Sequence, residues 1–130
     1  MKKDKVTILC VDDDPDFLDS LRPIIEGDGY EMETATSAEE GLKKFKQITP
    51  DVVIVDLMME QIDSGTSLVK QMRSLGKTLP IYMLSSVGDS LGSNIDPASL
   101  KIDGVFQKPI NPQTFLKTLK SGLCTKPPKK

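Results

Sequence analysis

Hydrophobic positions along the chain form short apolar runs, separated by longer segments in which apolar residues recur at helical spacing. The runs have the length of β-strands and lie at residues 6–11, 30–34, 51–55, 80–84 and 105–106. Strands that alternate with helices are typical of an α/β domain. We therefore expect a mostly parallel sheet that is covered by helices on both faces.

Helix-start signals support this alternation. An N-cap side chain or capping box precedes three helical segments, namely Asp14 before Pro15, Ser37 three residues before Glu40, and Asn111 before Pro112. The spacing of Leu68, Met72 and Leu75 predicts the buried stripe of another helix. A further helix is expected within residues 88–104, but Gly92, Asn94 and Pro97 predict that it is short or broken.

The length and composition fit one globular domain. The chain has 130 residues, of which 38% are hydrophobic and 28% are charged. We expect a domain over residues 1–121, followed at 122–130 by a basic tail or the start of a linker, rich in proline and lysine. No apolar run approaches the roughly 20 residues that span a bilayer, and the first residues do not resemble a secretory signal. These features favour a cytoplasmic protein without a membrane partner.

Charge and residue usage exclude several kinds of site. A net charge of −2 argues against direct binding of nucleic acid. The chain contains no histidine, which excludes histidine-based triads, histidine metal sites and a phosphohistidine. Cys10 and Cys124 are too few for a disulfide framework or a metal cluster, and we interpret them as structural.

Polar residues that could bind a ligand or take part in a reaction follow four of the predicted strands. Asp12 and Asp13 follow the first strand, Asp56 the third, Ser85 the fourth and Lys108 the fifth. The carboxyl ends of parallel strands line the functional crevice of such a sheet. Neighbouring carboxylates repel one another, and a hard cation such as Mg²⁺ offsets that repulsion. The Asp56 carboxylate is then a candidate nucleophile toward a phosphoryl group, with Lys108 and Ser85 contacting its oxygens.

These residues and their spacing resemble the receiver domain of two-component response regulators. The resemblance extends over residues 6–121 and depends on "VDDDP" at 11–15, "DVVIVDLMM" at 51–59, "MLSS" at 83–86 and "KP" at 108–109. It implies a flavodoxin-like, doubly wound fold, in which a five-stranded parallel sheet of order 2-1-3-4-5 lies between two layers of helices.

The resemblance also implies a role for each residue of the candidate site. It makes Asp56 the phosphoacceptor, Ser85 the switch hydroxyl and Lys108 the cation that contacts the phosphoryl group. It implies a Mg²⁺ or Mn²⁺ site, whose ligands are the carboxylates of Asp12, Asp13 and Asp56 and the backbone carbonyl of Met58. No other cofactor is expected.

The same resemblance implies that the chain is a phosphoacceptor in a two-component system or phosphorelay. A histidine kinase or a histidine phosphotransfer protein would supply the phosphoryl group, and the domain would catalyse only its own phosphorylation and dephosphorylation. Phosphorylation would then bias the face formed by the fourth helix, fifth strand and fifth helix. That face would act on a downstream protein or on an output domain of a longer chain, and a homodimer is left open.

Two departures from the family pattern affect the expected switch. The position three residues before Lys108 usually holds an aromatic residue whose ring turns inward on activation, and here it is Val105. Phe106 is one residue later, where strand alternation points it to the other face. The irregular segment at 88–104 belongs to the same output face.

Two other functions are compatible with parts of the pattern. A phosphorylation-independent adaptor would keep the fold and not use the site. A phosphatase with an aspartate nucleophile is less favoured: Asp12 and Asp14 have the required spacing, but "PDF" at 15–17 offers no following Thr or Ser, and the chain has no room for a cap insertion. We expect Asp14 to act only as a helix cap.

Overall fold

A computed structural model describes residues 6–56, 64–75, 79–86, 104–108 and 110–125. In chain order, its elements are β1 (Thr7–Val11), α1 (Pro15–Gly27), β2 (Glu31–Ala35), α2 (Ala38–Ile48), β3 (Val52–Asp56), α3 (Ser64–Ser74), β4 (Ile81–Ser86), β5 (Gly104–Lys108) and α4 (Pro112–Thr125). The helix expected within residues 88–104 falls outside the described residues, except that Gly104 begins β5. None of the described helices is long and apolar enough to cross a bilayer.

The five strands form one parallel sheet with the order β2-β1-β3-β4-β5. This order confirms the predicted 2-1-3-4-5 arrangement. The central strands β1 and β3 are buried along their whole length, because helices cover both faces of the sheet. In the edge strand β2, exposed and buried residues instead alternate at the start of the strand, with Glu31 exposed and Met32 buried.

The sheet separates two hydrophobic cores, because successive strand residues point to opposite faces. In β1, Leu9 and Val11 enter one core, whereas Ile8 and Cys10 enter the other. Side chains from α2 and α3 complete the first core, and side chains from α1 and α4 complete the second. The chain therefore forms the three-layer α/β sandwich that its hydrophobic pattern predicts.

The three predicted N-caps are present. The Asp14 carboxylate accepts a hydrogen bond of 3.1 Å from Asp16 N, and the Asn111 side chain accepts one of 3.0 Å from Thr114 N. Ser37 Oγ accepts from Glu40 N at 3.1 Å. Each bond satisfies a backbone N–H that the first turn of a helix would otherwise leave without an intrahelical partner.

The predicted stripe of α3 is correct at two of its three positions. Leu68 and Met72 are buried, but Leu75 is 45% exposed, so its assignment to the core was wrong. The helix ends at Ser74, and Leu75 therefore no longer follows the helical spacing that would turn it inward. Val69 is fully buried in its place, beside Leu68 on the side of α3 that faces the sheet.

Helix α2 lies so close to β1 that it leaves no room for a side chain at Gly41. A Cβ at that position would lie 2.8 Å from Cγ2 of Val11, which is itself fully buried. Gly27, at the end of α1, has no atom within 4 Å of the corresponding point. Gly41 and Gly27 therefore form a matched pair of helical glycines, one crowded and one open.

We predict opposite effects of Gly41→Ala and Gly27→Ala on the free energy of unfolding. Both substitutions remove a flexible glycine from a helix, which stabilises by at most about 1 kcal/mol. At Gly41 the added methyl group also overpacks the core, at a cost of about 1–3 kcal/mol. Urea denaturation should show Gly41→Ala to be less stable than the unsubstituted chain and Gly27→Ala to be as stable or more stable. Equal stability of the two variants would contradict the close approach of α2 to β1.

Candidate functional site

The register of the central strands brings Asp12 and Asp56 together. Val11 of β1 is paired with Val55 of β3, so the next residue of each chain segment is an aspartate at the same level. Both aspartates also follow valines that enter the same core, and strand alternation therefore directs the two carboxylates toward the same face. This placement follows from the two sequence motifs once the strands are parallel and adjacent.

Asp13 completes a cluster of three carboxylates. Asp12, Asp13 and Asp56 each offer one oxygen, and these oxygens lie within 4.8 Å of one another. Asp12 is fully buried and Asp56 is 7% exposed, whereas Asp13 is exposed to solvent. The cluster is therefore anchored in the protein interior on one side and accessible from solvent on the other.

Two backbone groups fix the position of Asp12. Its own N–H donates a 3.0 Å hydrogen bond to the carbonyl of Ala35, at the end of β2. Its Oδ1 accepts a 2.9 Å bond from Asp14 N, which opens the first turn of α1. The contact with Ala35 could not be read from the sequence, because a backbone carbonyl carries no residue signature.

Asp14 takes no part in the cluster. Its carboxylate caps α1, as predicted, and is not one of the three carboxylates that approach one another. Asp12 and Asp14, the pair that a phosphatase of the aspartate type would use, therefore have different surroundings in this structure: Asp12 lies in the cluster and Asp14 caps a helix.

The donor set of the cluster suits a hard divalent cation. Two unit charges 4 Å apart near a protein surface repel by about 4 kcal/mol, so three gathered carboxylates need a compensating charge. Oxygen ligands without nitrogen or sulfur are typical of Mg²⁺ and Mn²⁺ sites, whereas zinc favours histidine and cysteine. Asp12, Asp13 and Asp56 therefore fit the predicted Mg²⁺ or Mn²⁺ site.

The structure describes the other predicted site residues only in part. The backbone of Ser85 lies at the carboxyl end of β4, one residue beyond Leu84, which is paired with Asp56. The backbone of Lys108 ends β5, where it is paired with Ser86. Both residues thus lie at the same edge of the sheet as the cluster. Their side chains, and all of Met58, are outside the described part of the chain.

The two neighbouring residues of β5 point in opposite directions, as predicted. Val105 is 46% exposed, whereas Phe106 is buried in the second core. The Phe106 ring lies between Tyr82 and Phe115, with centroid distances of 5.1 and 4.8 Å. Phe106 is therefore a packing residue. It does not replace the aromatic residue that the family usually has at the position of Val105.

Cys10 has the structural role that the sequence indicates. It is a free, fully buried cysteine of β1. Burial raises the pKa of its thiol well above the ordinary value, and the charge of Asp12 raises it further. Because the thiolate is the reactive form of cysteine, Cys10 is inert at neutral pH.

Comparison with known families agrees with this fold. A family model described as the response regulator receiver domain matches residues 8–120. The chain belongs to this family. It is thus a receiver domain of a two-component response regulator, a class of signalling module. Receiver domains bind Mg²⁺ through acidic residues, and Asp12, Asp13 and Asp56 form a cluster of acidic residues in this structure.

Curated relatives of this receiver domain include response regulators named MprA. The protein from Mycolicibacterium vanbaalenii PYR-1 is 33% identical over 116 residues, which are 89% of this chain and 49% of the relative. The protein from Mycobacterium leprae is 33% identical over 121 residues, which are 92% of this chain and 52% of the relative. The chain spans about half the length of these relatives.

Solved receiver structures superpose closely on this domain. A CheY-like receiver domain protein from Methanospirillum hungatei JF-1 has a TM-score of 0.83 at 31% identity, covering 92% of this chain and 94% of the other. The chemotaxis protein CheY4 of Vibrio cholerae has a TM-score of 0.81 at 32% identity, covering 91% and 98%. These likenesses confirm the predicted flavodoxin-like fold.

Proposed function

We propose that this receiver domain accepts a phosphoryl group on Asp56 in a reaction that depends on Mg²⁺. The donor is a phosphohistidine, on a histidine kinase or a histidine phosphotransfer protein. The domain is a signalling module that promotes only its own phosphorylation and dephosphorylation. The observation that carries this proposal is the approach of three carboxylates within 4.8 Å, two of them buried, at the carboxyl edge of the sheet.

In the proposed reaction, a carboxylate oxygen of Asp56 attacks the phosphorus of the donor. A P–O bond forms, the P–N bond of the phosphohistidine breaks, and the electron pair of that bond returns to the imidazole nitrogen, which then takes up a proton. The product is an acyl phosphate on Asp56. Hydrolysis restores the free carboxylate. Water attacks the same phosphorus and forms a new P–O bond, the P–O bond to Asp56 breaks with its electron pair returning to the carboxylate, and inorganic phosphate leaves after a proton of the water passes to solvent.

The burial of Asp56 suits it to this role. Because Asp56 is only 7% exposed, few water molecules compete with an incoming phosphoryl group at the carboxylate. Asp12 and Asp13 would hold the divalent cation together with Asp56 and the backbone carbonyl of Met58. When bound, that cation neutralises charge on the carboxylates and on the phosphoryl oxygens.

We assign the remaining predicted roles to Ser85 and Lys108. Their backbones end β4 and β5 at the edge that carries Asp56, which supports a contact of both side chains with the phosphoryl group. Lys108 would supply positive charge, and Ser85 would donate a hydrogen bond that forms only in the phosphorylated state. That bond would bias the face of β5, α4 and the helix expected within residues 88–104.

Three further features belong to the proposal. We place the receiver domain at residues 1–121 and a basic tail or the start of a linker at 122–130, although α4 continues to Thr125 and therefore crosses this boundary. The phosphorylated face acts on an output domain of a longer chain or on a separate protein, in keeping with relatives that are about twice as long. The domain works in the cytoplasm, where the ATP that charges a histidine kinase is found.

Intact-mass spectrometry tests the phosphoacceptor activity without a kinase. The chain is incubated with a small phosphoryl donor such as acetyl phosphate, with Mg²⁺ in one sample and with excess EDTA in the other. We expect the mass increase of one phosphoryl group only in the sample with Mg²⁺. An unchanged mass in both samples would instead support the phosphorylation-independent adaptor.

A further inference from the structure

The turn between β2 and α2 supports the backbone of Asp12. The carbonyl of Ala35 accepts the Asp12 N–H at 3.0 Å, so the position of Asp12 depends on the position of Ala35. Ala35 is buried and is the last residue of β2, paired with Val11. The turn that begins after it has no further strand pairing to hold it.

Glu40, in the first turn of α2, holds this turn in place through hydrogen bonds with Thr36. Its Oε1 accepts a 2.9 Å hydrogen bond from Thr36 N and a 3.2 Å bond from Thr36 Oγ1. Its own N–H donates to Ser37 Oγ at 3.1 Å. These bonds fix the residue that directly follows Ala35, and with it the peptide group that carries the Ala35 carbonyl.

A second side chain of α2 holds the residue before Ala35. Lys44 Nζ donates a hydrogen bond to the carbonyl of Thr34 and lies 3.9 Å from Glu40 Oε2. Ala35 is therefore flanked on both sides by backbone groups that bind side chains of one helix.

We propose that Glu40 is a positioning residue for the cation site, which it serves by holding Thr36 and thereby the Ala35 carbonyl that binds Asp12 N–H. The inference rests on the proposed function of the cluster as a cation site. Glu40 itself is not one of the clustered acids.

The like charges of the cluster explain why such support matters. Without a cation, the carboxylates of Asp12, Asp13 and Asp56 repel one another, which favours an outward movement of any loop that is free to move. A loop that has moved outward must be brought back before the cation binds, and this cost lowers the affinity. The support from Glu40 keeps Asp12 near its binding position before the cation arrives.

The ionisation of Glu40 agrees with this role. The backbone N–H of Thr36 is the largest cause that holds the pKa of Glu40 below its ordinary value, and Lys44 contributes in the same direction. Because the pKa of Glu40 is lower in the folded state than in the unfolded state, the bond stabilises the fold fully at a pH above the unfolded-state pKa. This stabilisation is lost as the pH falls through the folded-state pKa. Glu40 is therefore the charged acceptor at neutral pH.

Three variants of the full chain separate positioning from other effects. Glu40→Ala removes the bonds to Thr36, whereas Glu40→Gln keeps an oxygen that can accept them. Glu39→Ala is the matched control, because Glu39 is also an acid in the first turn of α2, is exposed and has none of these bonds. Each variant is titrated with Mg²⁺ by NMR, and the hydrogen exchange of the Asp12 amide is measured without Mg²⁺.

We expect Glu40→Ala to weaken Mg²⁺ binding by about tenfold, the lower end of what the loss of an outer support of a metal ligand costs. Exchange of the Asp12 amide should accelerate in the same variant, while Glu40→Gln and Glu39→Ala stay within about twofold of the unsubstituted chain in both measurements. A role confined to helix stability would affect Glu39→Ala as well, because both acids favour the helix N-terminus.

Two results would overturn the inference, and they have different meanings. If the unsubstituted chain binds Mg²⁺ and Glu40→Ala binds it as tightly as Glu39→Ala, only the positioning role is wrong. If the unsubstituted chain does not bind Mg²⁺, the proposed cation site is wrong, and the positioning role is wrong with it.

Discussion

Asp56→Asn should abolish phosphorylation by a small phosphoryl donor in the presence of Mg²⁺. Asparagine has nearly the same shape but carries no negative charge and is not a nucleophile toward phosphorus. The expected loss is on the order of a thousandfold or more, the scale observed when an enzyme loses its covalent nucleophile. The measurement is the fraction of phosphorylated chain over time by intact-mass spectrometry.

Asp51→Asn provides the control for this substitution. Asp51 immediately precedes β3, so it lies at the opposite end of the strand from Asp56, where its Oδ2 accepts a 2.9 Å bond from Thr7 N. We expect this variant to be phosphorylated like the unsubstituted chain. Phosphorylation of Asp56→Asn at an undiminished rate would show that another residue is the acceptor.

Asp12→Asn should change stability in opposite directions with and without Mg²⁺. In EDTA, the substitution removes one charge from a cluster of three carboxylates and keeps the oxygen that accepts from Asp14 N. The relief of repulsion should raise the free energy of unfolding by about 1 kcal/mol or more. With saturating Mg²⁺, the unsubstituted chain is stabilised by the free energy of cation binding, and the variant is stabilised much less. The variant should therefore be the less stable of the two in Mg²⁺. Urea denaturation under both conditions measures the two effects.

Asp16→Asn is the matched control for Asp12→Asn. Asp16 is an exposed acid in the first turn of α1, outside the cluster. Its loss should lower stability by about 0.5 kcal/mol in both conditions, because the charge favours the helix N-terminus. A lower stability of Asp12→Asn than of the unsubstituted chain in EDTA would mean that repulsion does not dominate the cation-free cluster.

Much of the fold could be predicted from the sequence, because the apolar runs of the strands and the helical spacing of apolar residues between them are both clear. Runs such as 52–55 are apolar throughout, and this is typical of a parallel strand that is buried on both faces. The cluster could also be predicted, because Asp12 and Asp56 each end such a run. Once β1 and β3 are adjacent and parallel, the two aspartates must lie at the same edge of the sheet.

The errors and omissions concern contacts that spacing alone does not determine. Leu75 fits the stripe of Leu68 and Met72, but the helix ends one residue before it and leaves it exposed. The capping box indicated that Glu40 serves only to cap the N-terminus of α2. Its oxygen in fact accepts from Thr36 N, one residue before the cap, because the turn presents that N–H to the side chain. The link from Glu40 to Asp12 passes through a backbone carbonyl and has no signature in the sequence.

Anomalous diffraction from crystals grown with Mn²⁺ tests the central claim most directly. We predict one manganese peak at about 2.0–2.2 Å from carboxylate oxygens of Asp12, Asp13 and Asp56, with the Met58 carbonyl as a further ligand. Density for Mn²⁺ elsewhere on the chain, or none between these three aspartates at a saturating concentration, would contradict the proposed site and the chemistry assigned to Asp56.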